Sequence, residues 1–400
     1  MKVFIIAGEV SGDRLGGAVM EGLRSLVPDL TFQGIGGPDM AAQGLTSRFA
    51  MQELSLMGLA EILPKYFHLK RRIAQTAQAV IHARPDVLLT IDSPDFCLRV
   101  ARLVREQVRI HTVHYVAPTV WAWRPGRAAK MARHIDHVLA LFPFEPPYMQ
   151  AAGMACDFVG HPVATEPVAT MAHAAAFRAD YGPGPLILAL PGSRGGEVAR
   201  LADRFGAALA RVAAQRPGAR VVLPAAAPVV AQVRAATASW PIRPDIIDPA
   251  ADPGGARKRA AFRAADVALA ASGTVSLELA ASSTPMVIAY DMAWLTRIIV
   301  SRMLLVDTVT LVNLVSETRT IPEFIGPDCQ PEAIATALLQ VLDNPAPQRA
   351  AMAVTMQRLG QGGPDPGLRA AQAILRQIGR QGQAPRQIQP PPSTRLPSGA

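Results

Sequence analysis

Short apolar runs recur along the chain, each bounded by glycine, proline or an acidic residue, and the stretches between them repeat apolar positions at helical spacing. Runs of four to seven successive apolar residues read as strands buried on both faces, the mark of a parallel sheet. In the first half this places strands near 2–7, 31–35, 86–91, 109–114, 136–141 and 156–159, with helices near 12–26, 58–83, 94–107 and 126–133. A second set of strands follows near 186–191, 220–224, 245–248, 266–272 and 285–290, and helical patterns near 330–343 and 346–379 close it. The alternation argues for α/β with parallel sheets.

The segment HPVATEPVATM (161–171) carries two prolines and no period, and reads as a linker. The expected division is therefore a first Rossmann-like domain over 1–165, a second over 166–345, a helical segment over 346–379 and a tail over 380–400. The tail's Pro, Gln, Ser and Gly content cannot build a core and reads as disordered. Two α/β halves on a short linker imply a cleft, and in open α/β sheets ligands bind outside the carboxyl ends of the strands. Residues at strand ends become the candidates.

Composition narrows the class. Four hundred residues, half of them hydrophobic, suit two globular domains. Cys97, Cys156 and Cys329 are odd in number and widely spaced, which suits a reducing cytosol better than a disulfide frame or a metal site. No stretch reaches the roughly 18 apolar residues of a membrane span. The net charge of +9 fits either a soluble protein rich in arginine or attraction to a polyanion. Basic residues gather beside apolar ones in KYFHLKRR (65–72) and WAWRPGRAAKMARH (121–134). No helix-turn-helix, zinc finger or aromatic RNA-binding motif accompanies them, so no nucleic-acid partner is expected.

The second half carries two glycine-containing turns from strand to helix. LILALPGSRGGEV leads through Ser193, a candidate N-cap, to Arg194, whose guanidinium beside helix-start N–H groups would form an anion site. LAASGTVSLE presents Ser272, Gly273 and Thr274, with Glu278 one turn into the helix, where a carboxylate could accept both hydroxyls of a ribose. Taken singly, each is equally a capped turn with a solvated charge. Together they suggest a nucleoside diphosphate. Asn313, inside the apolar run VTLVNLV, is either an amide satisfied by nearby backbone or a cleft residue.

In the first half, IDSPDF follows a strand. Pro94 fits the first helical position, Ser93 the N-cap and Asp95 the first turn, where a carboxylate is favourable for structural reasons alone. Asp92 precedes the cap and can project into the cleft as a general base. Strand IHTVHY ends at His114 and Tyr115, followed by Trp121, Trp123 and Arg124, whose exposed-looking indoles beside cations suit anionic, acylated molecules as well as they suit ordinary packing. His161 in FVGHP reads as a hinge or a cap. The opening GEVSGDRLGG matches neither the dinucleotide G-x-G-x-x-G nor the P-loop, which disfavours a nicotinamide-dependent dehydrogenase. Capping accounts for Ser11 and Asp13 there, leaving Glu9 as the residue that leans toward function.

Read in order, GEVSGD, GIGGPDM, MGLAEILP, IDSPDF, HYVAPTVWAWR, FVGHPV, PGSRGGEV, ASGTVSLE and IPEF resemble the lipid-A-disaccharide synthase family over residues 1–378. These are bacterial glycosyltransferases of GT-B architecture, with two Rossmann-like domains whose parallel sheets face across a cleft. The resemblance implies inverting transfer of 2,3-diacylglucosamine from its UDP derivative to the 6-hydroxyl of 2,3-diacylglucosamine 1-phosphate (lipid X), at the cytoplasmic surface of the inner membrane, with no bound metal or other cofactor. It implies Asp92 as base and Arg194, Ser193, Ser272, Gly273, Thr274, Glu278 and Asn313 around UDP. Glu9, Ser11, His114, Trp121, Trp123 and Arg124 fall to the acceptor and lipid side. The chain departs from the family at Cys97, where asparagine is commoner, and at Val312, where proline is. Rivals are a lipid-linked N-acetylglucosamine transferase, a UDP-sugar 2-epimerase, or a non-catalytic UDP-sugar or lipid-binding protein; a homo-oligomer stays open.

Overall fold

A computed structural model describes residues 1–54, 59–124, 126–292 and 303–383, with side chains for all of these except 59–66 and 380–383. The first sheet comprises β1 (Lys2–Ala7), β2 (Thr31–Ile35), β3 (Val87–Ile91), β4 (His111–Tyr115), β5 (His137–Ala140) and β6 (Ala155–Phe158), in the order β2-β1-β3-β4-β5-β6. The second comprises β7 (Leu186–Leu190), β8 (Arg220–Pro224), β9 (Asp245–Ile247), β10 (Val267–Ala270), β11 (Met286–Tyr290) and β12 (Glu323–Ile325), in the order β12-β11-β10-β7-β8-β9. Every pairing is parallel. Helices cover both faces, so β3 and β7 are buried at every position, which explains their unbroken apolar sequence.

Strand order fixes where a site can form. In each sheet the chain first winds one way and then the other, and loops at the point of reversal diverge to leave a crevice. In the first sheet the reversal lies between β1 and β3, which pair Ala7 with Ile91. In the second it lies between β7 and β10, which pair Leu190 with Ala270. The four loops singled out from sequence, at Gly8–Glu9, Asp92–Ser93, Ser193–Arg194 and Ser272–Thr274, are the four that leave these strand ends.

The helical pattern at 346–379 is two helices. Ala346–Arg358 packs on the second sheet's side: the Gln348 amide brackets Met286 through both its backbone groups, and Arg358 donates to Val315 O at 2.7 Å. The chain then turns, and Pro366–Gln383 runs back along helix Val10–Leu26 of the first half. Gly367 makes that crossing possible, because a Cβ there would lie 2.5 Å from Ala18 O. Arg369 donates to Phe158 O at 3.0 Å and lies over the Phe158 ring, and Arg376 reaches Asp157. The helix continues to Gln383, past the 380 boundary expected for the tail; the rest of that tail lies outside the described residues, as do the first two residues of MGLAEILP. Among the described residues no helix is long and apolar enough to cross a membrane.

Candidate active site in the cleft

Asp92 leaves the end of β3 with its N–H donated to Tyr115 O at 3.0 Å, and both it and Ser93 adopt left-handed backbone (φ 49° and 43°). Such conformations cost of order 1–3 kcal/mol each and persist only where surroundings enforce them. Here helix Pro94–Arg105 enforces them: Ser93 is its N-cap, Pro94 its first residue, and Ser93 O accepts from Phe96 and Cys97. Asp95 is exposed in the first turn, consistent with an architectural role.

Glu9 occupies the N-cap of helix Val10–Leu26 and is half-buried. Burial holds its carboxyl above the usual glutamate range, the negative charge of Asp92 raises it further, and Arg194 from the second sheet pulls it back. Two carboxylates of one sheet and a guanidinium of the other therefore share one field. Ser11, one residue into that helix, is exposed on the cavity wall. Asp13 corrects the expectation attached to it. It is buried, and accepts N–H groups of Gly37, Asp39 and Met40 at 2.7, 2.9 and 3.1 Å. It caps helix Pro38–Ala42 rather than its own, which ties GEVSGD to GIGGPDM.

Across the cleft, the N-cap of helix Gly195–Gln215 is Arg194 and not Ser193. Glu197 reaches back to accept the N–H groups of Ser193 and Arg194 at 3.0 and 3.3 Å, so the serine hydroxyl is not needed for the cap. The Arg194 side chain is 65% exposed. Gly273 takes φ 150°, which opens the turn between exposed Thr274 and half-buried Ser272. Glu278 pairs with Lys258 at 2.6 Å.

Three further expectations are corrected. Asn313 is 1% exposed and fully engaged: its Nδ2 donates to Ile321 O at 2.9 Å and Thr308 Oγ1 at 3.3 Å, and its Oδ1 accepts from Ile321 N at 3.0 Å. It braces a loop and presents nothing to the cleft. His114 is buried against Thr90 Oγ1 at 2.8 Å, and burial, aided by Arg127, pushes its imidazole down to about 4. It is a neutral core histidine. Trp121 is 8% exposed, edge-on to Phe144 at 5.1 Å, so it packs rather than faces lipid. Trp123 and Arg124 do lie at the surface: the indole donates to Thr119 Oγ1 at 2.9 Å and the guanidinium covers its ring at 4.4 Å. Their loop meets the second half where Leu305 N donates to Ala122 O at 2.9 Å. His161 is a cap, its Nδ1 accepting from Val163 N at 3.1 Å.

A cavity of about 1030 Å³ opens between the halves, lined by Ser11 and Asp92 on one side and by Thr274 and Glu278 on the other. Its wall also includes Lys258 and Arg259, which sequence reasoning missed. The stretch ARKRAAFRA carries no motif that marks them, and the fold of the second sheet is what brings Lys258 to Glu278. The volume suits a nucleotide-sugar or a similarly large ligand.

The family model for lipid-A-disaccharide synthetase matches residues 3–375. The lipid-A-disaccharide synthase of Ruegeria pomeroyi is 66% identical over 380 residues, spanning 94% of this chain and 95% of that protein. That of Rhodospirillum centenum is 45% identical over 403 residues, spanning 99% of each. Among solved structures, the UDP-GlcNAc 2-epimerase of Neisseria meningitidis bound to UDP-GlcNAc superposes with a TM-score of 0.62 at 12% identity, covering 95% of this chain and 100% of that one, a likeness of fold alone.

Proposed function

Since the chain belongs to the lipid-A-disaccharide synthetase family, and is thus a UDP-sugar-dependent glycosyltransferase of GT-B fold, we propose that Asp92 is its general base and Arg194 its leaving-group cation. The reaction joins 2,3-diacylglucosamine from its UDP derivative to the 6-hydroxyl of lipid X, forming a β-1,6-linked disaccharide 1-phosphate and UDP. The rival readings as an epimerase, as another lipid-linked transferase or as a non-catalytic binder give way to that membership.

Asp92 accepts the proton of the acceptor 6-hydroxyl as that oxygen attacks C1 of the donor. The bond from C1 to the diphosphate breaks on the opposite face, so the anomeric centre inverts. The departing UDP gathers negative charge, which Arg194 meets. Ser193, Ser272, Gly273 and Thr274 line the diphosphate, and Glu278 accepts from the ribose. Glu9 and Ser11 flank the acceptor. The observation that carries this reading is the cavity between the halves, lined by Asp92 from one sheet and by Thr274 and Glu278 from the other, because proton acceptor and nucleotide-binding turn must act on one substrate pair. Strain at Asp92 and Ser93 supports it, since strained backbone gathers where a side chain must be aimed.

General-base assistance is worth ~10²- to 10⁴-fold. Asp92→Asn is therefore expected to lose at least that factor in turnover with lipid X and the diacylated UDP-sugar, while UDP binding persists. Near-normal turnover would remove Asp92 from the role. Both substrates carry acyl chains, and the second part of the proposal is peripheral association with the inner leaflet through Trp123, Arg124 and neighbouring basic residues.

A further inference from the structure

The charges on the cavity wall do not balance the substrates. Arg14 binds Glu166 at 3.1 Å and Lys258 binds Glu278 at 2.6 Å, so each of these cations is already matched. Asp92 and Asp365 also line the cavity and add negative charge. Among the described residues of the wall, Arg259 is the one cation with no carboxylate partner: its guanidinium donates only to Gly254 O, at 2.8 Å.

Arg259 is also held in place. It lies on helix Ala256–Ala264, whose starting N–H groups are taken by Asp252, with Arg257 and Lys258 donating at 3.1 and 2.9 Å. A Cβ on Gly255 would sit 3.1 Å from Arg259 Nη1, so the side chain folds close beneath the turn that begins its own helix. One donor of five is used there, which leaves a planar fork suited to two oxygens of a phosphate.

Resting on the reading above, the acceptor is an acylated glucosamine with a phosphomonoester at C1, which carries about −1.5 to −2 charge near neutral pH. The Asp92 side of the cavity offers that phosphate no uncommitted cation among the described residues. We propose that Arg259 is the acceptor-phosphate residue, so that the acceptor spans the cleft, its 6-hydroxyl at Asp92 and its phosphate on the second sheet's wall. Arg194 then serves the donor and Arg259 the acceptor, and a sugar without the phosphate is a poor acceptor because it leaves Arg259 unmatched.

The test compares Arg259→Gln and Arg259→Lys with the unmodified chain, using lipid X, the same sugar lacking its phosphate, and UDP alone. A charge-assisted contact of this kind is worth about 1.5–3 kcal/mol, or about 10- to 150-fold. Arg259→Gln is expected to raise KM for lipid X by about that factor, to erase the preference for the phosphorylated acceptor, and to leave UDP affinity within about twofold. Arg259→Lys should restore part of the preference. If the preference survives in Arg259→Gln, or if UDP affinity falls in parallel with KM, the assignment is wrong. Should Arg259→Gln not fold, Arg259→Met decides with the same three ligands: a preference for the phosphorylated acceptor that survives overturns the proposal, and a rise in KM confined to lipid X supports it. Absence of transfer to lipid X by the unmodified chain would instead remove the underlying reading.

Discussion

Gly8 and Ser93 pack so closely that a Cβ on Gly8 would lie 2.4 Å from the serine Oγ and 2.9 Å from its Cβ. The contact joins the loops that carry Glu9 and Asp92, so the glycine sets the position of the proposed base. Gly8→Ala forces Ser93 aside, at about 1–3 kcal/mol for overpacking, and should lower kcat at least tenfold. Ser93→Gly removes both clashing atoms, leaving an ordinary 3.5 Å contact to Leu54, and suits the left-handed backbone there. The double variant should therefore recover most of the activity. Equal kinetics for single and double variants would show that the contact does not position Asp92.

Arg194→Ala loses the 3.7 Å pair with Glu197 but keeps the helix start, because the Glu197 carboxylate accepts the backbone N–H groups of residues 193 and 194 whatever side chain stands at 194. Arg194→Ala is expected to weaken UDP binding by about 10- to 150-fold, the worth of a charge-assisted hydrogen bond, with Tm unchanged. Calorimetric titration with UDP checks it. Unaltered affinity would exclude a diphosphate role.

The strands were legible because helices cover both faces of each sheet, leaving apolar runs cut only by turn residues. β12 escaped notice because it has three half-buried residues and sits at an edge. The loops that carry Asp92 and Arg194 stood out in the sequence because each leaves the end of such a run, Asp92 directly after Ile91 and Arg194 three residues beyond the Leu190–Pro191 step. Trp121 and Asn313 were misplaced for a shared reason: sequence shows that an aromatic or an amide is present, but burial by Phe144, or capture by Ile321 and Thr308, is decided by segments far along the chain. The pairing of Lys258 with Glu278 left no local signal, since the two lie on separate helices either side of β10.

Glu145 gives the fold a pH dependence of definite sign. Its carboxylate accepts the N–H groups of Leu141 and Phe142 at 3.0 Å each. Burial nonetheless pushes it up to about 7 from an ordinary 4.5, with those N–H groups and Trp121 opposing the rise. The folded chain then holds a proton that the unfolded chain has released, so stability falls as pH rises from about 4.5 to about 7 and is flat above that. Glu145→Gln keeps an acceptor oxygen but cannot ionise. Its Tm relative to the unmodified chain should climb between pH 5 and pH 8, in a titration of thermal unfolding on both proteins. A difference that stays constant with pH would refute the assignment.

The basic surface makes a separate claim about the membrane. Arg124 over Trp123 places a cation and an indole together at the surface, on the loop joined to the second half at Leu305, which is itself exposed. Phe67, 80% exposed, lies on the helix that carries the basic run 65–72. Attraction of such a surface to anionic lipid acts through solvent, and raising salt from about 0.1 M to about 1 M shortens its range from about 10 Å to about 3 Å. Binding to vesicles containing phosphatidylglycerol should therefore weaken steeply with salt, whereas binding dominated by inserted apolar groups would not. Arg124→Glu should lower low-salt binding at least tenfold, and Trp123→Ala should lower it by a factor that salt does not change. Cosedimentation that is insensitive to both salt and Arg124→Glu would mean that charge does not bring this chain to the bilayer.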